Sequence, residues 1–353
     1  MGRKIFATLS AFAAFGAFGV ASAPATAQDS FADFEAAFDS ELGTKVREPL
    51  TYEAVYDTGF EKRIAQLADG ADGRIGVAAI DLTTGREISI LGDMRFPMAS
   101  TSKIAIAATF MEGVDNGRWS LNSEFPLLIP QRSARFSGSK APVSKGKYLP
   151  ARTLLNLMIT RSSNTATDAL LDVVGGPKAV NRWMREKAGI QDFELSRDIA
   201  TLVRDDGEFD PVTYVDKRDS ASPRAMAQLL AGLHRGDWLS RSSSRFIVDT
   251  MQGTRTGSRR MTSVLPDSAR LAHKTGTLNR TASDIGIFYT PDGRPIAAAI
   301  YVTGQSASMS DEARNKSAAR LRRDQRIASI TQALYEGYSV TGRNYARADY
   351  SPE

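Results

Sequence analysis

Ser100-Thr-Ser-Lys103 places a hydroxyl and an amine three residues apart, just before the apolar run Ile104–Met111. If that run is a helix, the two side chains share one face and the amine can reach the hydroxyl. Lysine acts as a base toward serine when desolvation and nearby positive charge depress its pKa. A serine at the start of a helix also meets free amides and a dipole that favour negative charge. The same spacing recurs at Ser137–Lys140 and Ser144–Lys147, in a Gly-containing stretch with no apolar run behind it. Alone, Ser-x-x-Lys also reads as a helix cap, with Ser100 satisfying a backbone amide.

Two further groups of residues strengthen the chemical reading. Ser162-Ser163-Asn164 falls between two helical patterns and offers a hydroxyl beside a carboxamide with donor and acceptor. It also reads as a plain N-cap, and Ser120-Leu121-Asn122 shows how common such a tripeptide is. Lys274-Thr275-Gly276-Thr277 reads as a strand, where glycine permits close approach of a ligand and Lys274 supplies a second ammonium. Its plain reading is an edge-strand lysine that discourages aggregation.

Composition removes the main competing chemistries. The 353 residues contain no cysteine and two histidines, His234 and His273. Disulfides, thiolate catalysis, iron–sulfur clusters and cysteine-held zinc are therefore excluded, and a three-histidine zinc site cannot be built. No His-Glu-x-x-His and no Gly-x-Ser-x-Gly occurs. No cofactor is expected. The formal net charge of +5 falls to +3 if Arg3 and Lys4 leave with an N-terminal segment, too little to argue for nucleic acid.

That segment has the form of a secretory signal. Arg3 and Lys4 precede the apolar run Ile5–Val20, and Ala25-Thr26-Ala27 offers a cleavage site. The run is short for a bilayer span. Cleavage after Ala27 would give a secreted or periplasmic protein with no stable membrane span.

The elements that must position the three groups follow from periodicity. Phe31, Phe34, Phe38 and Leu42 form a helical stripe, and a second helix is expected near Phe60–Leu67. Ile75–Asp81 and Glu87–Leu91 read as a hairpin around Thr83-Thr84-Gly85. Helical patterns then dominate residues 100–235, separated by polar loops at 130–150 and 197–223. Strands return at Arg270–Lys274, Ser283–Thr290 and Pro295–Val302, and a charged helix is expected from Asp311 to Tyr338. Strands, then helices, then strands imply an α+β two-lobed fold: an antiparallel sheet with flanking helices and an inserted all-helical lobe. The expected organisation is a signal at 1–27, a helical extension at 28–58, a sheet lobe at 59–97 and 225–340, a helical lobe at 98–224, and a polar tail at 341–353.

The three groups, in this order, resemble the active-site set of class A β-lactamases and penicillin-binding proteins. Thr84-Gly85, Gly175-Gly176-Pro177, Asp219 before Pro223, Leu265-Pro266 and Tyr301-Val302-Thr303-Gly304 extend the likeness over about residues 60–340. The resemblance implies a serine hydrolase that opens β-lactam rings through an acyl-enzyme. It makes Ser100 the nucleophile, Lys103 its base or proton relay, and Ser162 the shuttle to the leaving nitrogen. Asn164 would contact the substrate side chain; Lys274, Thr275 and Gly276 would line its carboxylate. The amides of Ser100 and Thr277 would form the oxyanion hole. Arg260 falls where some members supply a carboxylate-binding arginine. His273 merely precedes the motif lysine. The substrate class implied is a small β-lactam or peptidoglycan-like molecule, with a monomeric protein.

Two departures from the family pattern stand out. Ser163 replaces a structural aspartate. More consequentially, the omega loop, here about Arg197–Asp219, lacks the Glu-x-x-Leu-Asn whose glutamate activates the deacylating water. Asp198, Asp205, Asp206 and Glu208 are candidate replacements, Asp198 and Glu208 first. Without a positioned carboxylate, acylation proceeds while hydrolysis stalls. A D-alanyl-D-alanine carboxypeptidase, an esterase, or a penicillin-binding module that acylates without turnover are therefore the alternatives.

Overall fold

The computed structural model describes residues 58–69 and 72–348, with residues 341–348 described as helical backbone. The expected signal, its cleavage site and the Phe31–Leu42 stripe lie outside the described residues. In chain order the elements are α1 (Gly59–Ala68), β1 (Ile75–Asp81), β2 (Glu87–Ile90), β3 (Phe96–Pro97), α2 (Lys103–Asp115), β4 (Glu124–Pro130) and β5 (Val143–Pro150). Then come α3 (Ala151–Thr160), α4 (Asn164–Val174), α5 (Pro177–Arg182), β6 (Phe193–Glu194), α6 (Ile199–Arg204), β7 (Ser220–Ala221), α7 (Pro223–Arg235) and α8 (Arg241–Gln252). The chain closes with β8 (Ala272–Leu278), β9 (Thr281–Tyr289), β10 (Pro295–Thr303), α9 (Met309–Arg314) and α10 (Lys316–Ala348).

Five strands form one antiparallel sheet in the order β2-β1-β10-β9-β8. Alternation along β10 shows how it is packed. Ile296, Ala298, Ile300 and Val302 join Ile327, Ile330 and Leu334 of α10 in one core. Ala297, Ala299 and Tyr301 face the other core, which contains Met226, Leu229 and Leu230 of α7. A strand covered on both faces can be apolar throughout, because its side chains alternate between two cores. The N-terminal and C-terminal strands thus meet at the β1–β10 pairing, with Ile75 opposite Val302.

Helix α2 is buried over most of its circumference, from Lys103 to Met111. An all-round apolar helix requires cover on every side, and α3, α4, α5 and α8 supply it. Gly113 allows Trp119 to lie against this helix, since a Cβ there would fall 2.0 Å from Trp119 Cζ2.

Four sequence expectations require correction. The loop expected at 130–150 contains β5, which pairs with β4. Its exposed Ser144-Lys-Gly-Lys147 shows no alternating apolar signal, and Pro126 and Pro130 of β4 are tolerated in a two-stranded ribbon that is all edge. The helical region is therefore not all-helical. The loop expected at 197–223 contains α6, capped by Asp198, whose carboxylate accepts from Thr201 N at 2.8 Å. The final helix is divided at Asn315 and continues to Ala348, into the stretch read as a tail.

The hairpin tip, residues 131–142, is tied to residues 201–206. Phe136 N donates to Asp205 Oδ1 at 2.8 Å, and Ala141 N donates to Thr201 Oγ1 at 2.8 Å. Arg135 Nε donates to Arg204 O at 2.9 Å.

Candidate active site

Ser100 lies in the 3-10 turn Ala99–Ser102 that leads into α2. The turn is held by its neighbours: Thr101 Oγ1 bonds Met98 O at 2.8 Å and Tyr301 OH at 2.9 Å, and Ser102 Oγ donates to Ala99 O at 2.9 Å. Ala99 has φ +49, an uncommon conformation for a residue with a Cβ. The Ser100 side chain is half-buried and has no hydrogen bond among the described residues. A direct Ser100–Lys103 hydrogen bond, which their spacing suggested, is thus not formed between these side chains.

Lys103 reaches across to the α3–α4 junction instead. Its Nζ lies 2.8 Å from Ser162 O, 3.2 Å from Ser162 Oγ and 2.8 Å from Asn164 Oδ1. Lys274 Nζ approaches the same hydroxyl from β8, 3.0 Å from Ser162 Oγ, and donates to Thr275 O at 2.9 Å. Ser162 has φ +56, which turns its hydroxyl toward both amines. Ser163 caps α4 by accepting from Ala166 N, so a hydroxyl does local work where an aspartate was expected.

Both amines are fully buried. Burial, and then the charge of Lys274, push Lys103 well below its usual value, with Asp168 opposing. Burial lowers Lys274 to about 7, with Asp284 opposing and Arg260 adding to the fall. Desolvation of two amines a few ångströms apart thus favours a neutral amine at neutral pH.

Strand β8 lies against the Ser100 turn at Gly276. A Cβ there would come 2.7 Å from Met98 O and 2.4 Å from Ser283 Oγ, so only glycine permits this approach. Thr275 Oγ1 bonds Thr256 Oγ1 at 2.6 Å. Arg260 is buried beneath the strand. Its Nη1 donates to Gly276 O and Ser283 O at 2.8 Å, its Nη2 to Thr277 Oγ1 at 2.7 Å, and its Nε to Asp324 at 2.6 Å. His273 is a packing residue, with Nδ1 2.9 Å from Asp284 Oδ1 and Nε2 3.2 Å from Thr262 Oγ1.

The loop carboxylates are engaged elsewhere. Asp198 caps α6 and pairs with Lys140 at 3.2 Å; Glu208 pairs with Arg218 at 2.7 Å. Neither bonds Lys103, Ser162 or Lys274. Asp205 pairs with Arg204, and Asp206 accepts from Asn279 N. Arg197 and Asp219 close the neck of the loop at 2.5 Å.

Sequence reasoning missed Asp168. It stands one turn after Asn164 on α4, and that spacing was the available signal, because i and i+4 share a face. Its carboxylate accepts from Ile199 N at 2.7 Å and Ala200 N at 2.9 Å, fastening the start of α6 within electrostatic reach of Lys103. With Leu202 as the leucine of Glu-x-x-Leu-Asn, Ile199 takes the glutamate's position and Val203 the asparagine's. Ile199 is buried and apolar.

Burial raises Asp168 from 3.8 to about 6 despite its amide hydrogen bonds. The folded protein therefore keeps this proton to about pH 6, whereas the unfolded chain releases it near 3.8. The resulting stabilisation is complete below the lower value and is lost as pH rises through the higher one. In urea titrations, Asp168→Asn is expected to gain on the wild type between pH 4 and 7, by up to about 3 kcal/mol. A difference independent of pH would show that the group does not titrate this way.

The sheet order, the Ser100 turn against β8, and a serine hydroxyl between two buried lysines define a serine hydrolase of the β-lactamase type. Residues 59–338 match the Beta-lactamase enzyme family, and the chain belongs to it. The extended-spectrum β-lactamase PER-1 of Pseudomonas aeruginosa is 28% identical over 259 residues, covering 70% of this chain and 80% of that protein. The crystal structure of a β-lactamase from Chitinophaga pinensis superposes with a TM-score of 0.66 at 26% identity, covering 80% of this chain and all of the other. An ancestral class A β-lactamase of Gram-negative bacteria gives 0.64 at 32% identity, covering 79% of this chain and 99% of the other.

Proposed function

We propose that the protein opens β-lactam rings through an acyl-enzyme on Ser100, with release of the acyl group as the slow step. The observation that carries this reading is Ser162 Oγ held at 3.2 and 3.0 Å from the buried amines of Lys103 and Lys274. A neutral lysine has two N–H donors and one lone pair. Of the three Lys103 contacts, only the one to Ser162 Oγ can reverse, the hydroxyl donating to the amine.

The proposed sequence uses that reversal. Ser100 Oγ attacks the lactam carbonyl carbon while Lys103, turning its lone pair from Ser162 Oγ to Ser100, accepts the serine proton. The oxyanion is stabilised by the amides of Ser100 and Thr277. As the C–N bond breaks, a proton passes from Lys103 through Ser162 Oγ to the leaving nitrogen, giving an ester on Ser100. Thr275, Gly276, Lys274 and Arg260 receive the substrate carboxylate, and Asn164 the side-chain amide. Water then attacks the ester, releases the ring-opened acid and returns a proton to Ser100. The expected leader supports export, and no helix among the described residues is long and apolar enough to cross a membrane.

Mixing the protein with a chromogenic cephalosporin should give a burst of one equivalent followed by slower continuous turnover, with the acyl adduct visible by intact mass. Linear turnover without an adduct would remove deacylation as the slow step. Absence of both colour and adduct would end the β-lactam reading. Hydrolysis of D-alanyl-D-alanine peptides in their place would favour a carboxypeptidase, a reading to which the apolar Ile199 lends support.

A further inference from the structure

A second concentration of charge lies where the end of α7, one face of α8, the turn before β8 and the end of β9 enclose a groove of about 440 Å³. Among the described residues, Arg235, Arg241, Arg245 and Arg270 line it, against one carboxylate, Asp249. Arg235 is held by Asp237 at 2.6 Å. Arg241, Arg245, Arg270 and Asp249 form no ion pair among the described residues. Arg241 and Arg245 stand one turn apart on α8, where like charges repel and destabilise the helix.

Arg270 is set in place rather than loose. Its backbone is left-handed, with φ +45, and its guanidinium lies 4.0 Å from the Tyr289 ring centroid. A guanidinium stacked on a ring face keeps its in-plane N–H donors available. The His234 ring meets the same tyrosine at 6.1 Å. Ser244 is buried in the groove wall, 4% exposed, and its Oγ has no hydrogen-bond partner among the described residues. A buried hydroxyl without a partner is costly unless a ligand completes it.

We propose that this groove binds a polyvalent phosphate anion, its phosphate groups bridging Arg241 and Arg245 on one side and Arg270 on the other. Phosphate oxygens match the bidentate geometry of guanidinium, and two or more phosphates would relieve the repulsion along α8. The same chemistry is offered by a soluble polyphosphate and by a phosphorylated lipid headgroup. None of the side chains clustered at Ser162 lines this groove, so the proposal stands apart from the hydrolytic reading.

The test uses the full protein at low ionic strength, where such contacts are least screened. Inorganic tripolyphosphate is titrated by calorimetry, and vesicles of phosphatidylinositol bisphosphate in phosphatidylcholine are assayed by flotation. Arg245→Ala combined with Arg270→Ala should weaken the bound probe about tenfold or more. Lys62→Ala combined with Arg320→Ala removes the same charge from exposed positions elsewhere and should leave affinity unchanged. Unchanged cephalosporin turnover in both pairs reports intact folding. Tripolyphosphate binding alone assigns a soluble ligand; vesicle binding sensitive to the groove variant assigns a headgroup. Binding of neither probe, or equal loss in the two pairs, would overturn the proposal.

Discussion

Ser100→Ala is expected to lose both the acyl adduct and cephalosporin turnover, the latter by roughly 10⁴-fold or more. The side chain is half-buried and has no hydrogen bond among the described residues, so its removal should leave thermal stability close to that of the wild type. That contrast is what makes the variant informative. Lys103, fully buried and bonded to Ser162 and Asn164, should lose activity together with stability when truncated. Ser100 should lose activity alone. The checks are intact mass after incubation with the cephalosporin, the steady-state rate, and Tm in parallel. An adduct that persists in Ser100→Ala would place the nucleophile elsewhere, and undiminished turnover would remove Ser100 from the mechanism.

The second large effect is a gain. Ile199→Glu is expected to shorten the life of the acyl-enzyme and raise steady-state turnover by about 10²–10⁴-fold, the range of a positioned general base. The backbone at 199 is pinned by Asp168, which lies within electrostatic reach of Lys103, so a carboxylate introduced there would start close to the reacting centre. The nearby Asp168 carboxylate would raise the pKa of the new group and Lys103 would oppose that rise. The gain should therefore grow with pH as the glutamate ionises. Ile199→Gln is the control for shape and polarity. Single-turnover decay of the adduct, followed by mass, separates release from acylation. Equal decay in the Glu and Gln variants would show that no carboxylate at this position can activate water, and that the slow step has another cause.

The structure also explains which features were legible beforehand. Strands β1 and β10 were readable because they are short apolar runs bounded by turn residues, and the β1–β2 turn is marked by Thr84-Gly85. Helix α2 was readable as a continuous apolar run and α4 from its apolar periodicity, each behind a serine-rich turn. Ribbon β4–β5 was not, because neither strand has a fully buried face. Helix α6 was hidden inside a polar segment; its six residues are organised by the Asp198 cap and by Asp168, a long-range partner that no local pattern reveals.

For this protein, residue types and spacings determined the class of chemistry. Without cysteine, and with two scattered histidines, catalysis was left to serine, lysine, tyrosine or carboxylates, and three short motifs pointed to serine and lysine. What the tertiary structure decided is how those groups meet. Lys103 turns to Ser162 and Asn164 instead of Ser100, Asp198 and Glu208 are held away in ion pairs, and Arg260 is anchored by Asp324 from α10. The physical reason is range. Helix and strand periodicity are local properties of the chain, whereas depressed amine pKa values and the choice of partner depend on burial and on groups brought together by folding. Lys103 and Lys274, separated by most of the fold in sequence, share one serine hydroxyl only because β8 lies against the turn that carries Ser100.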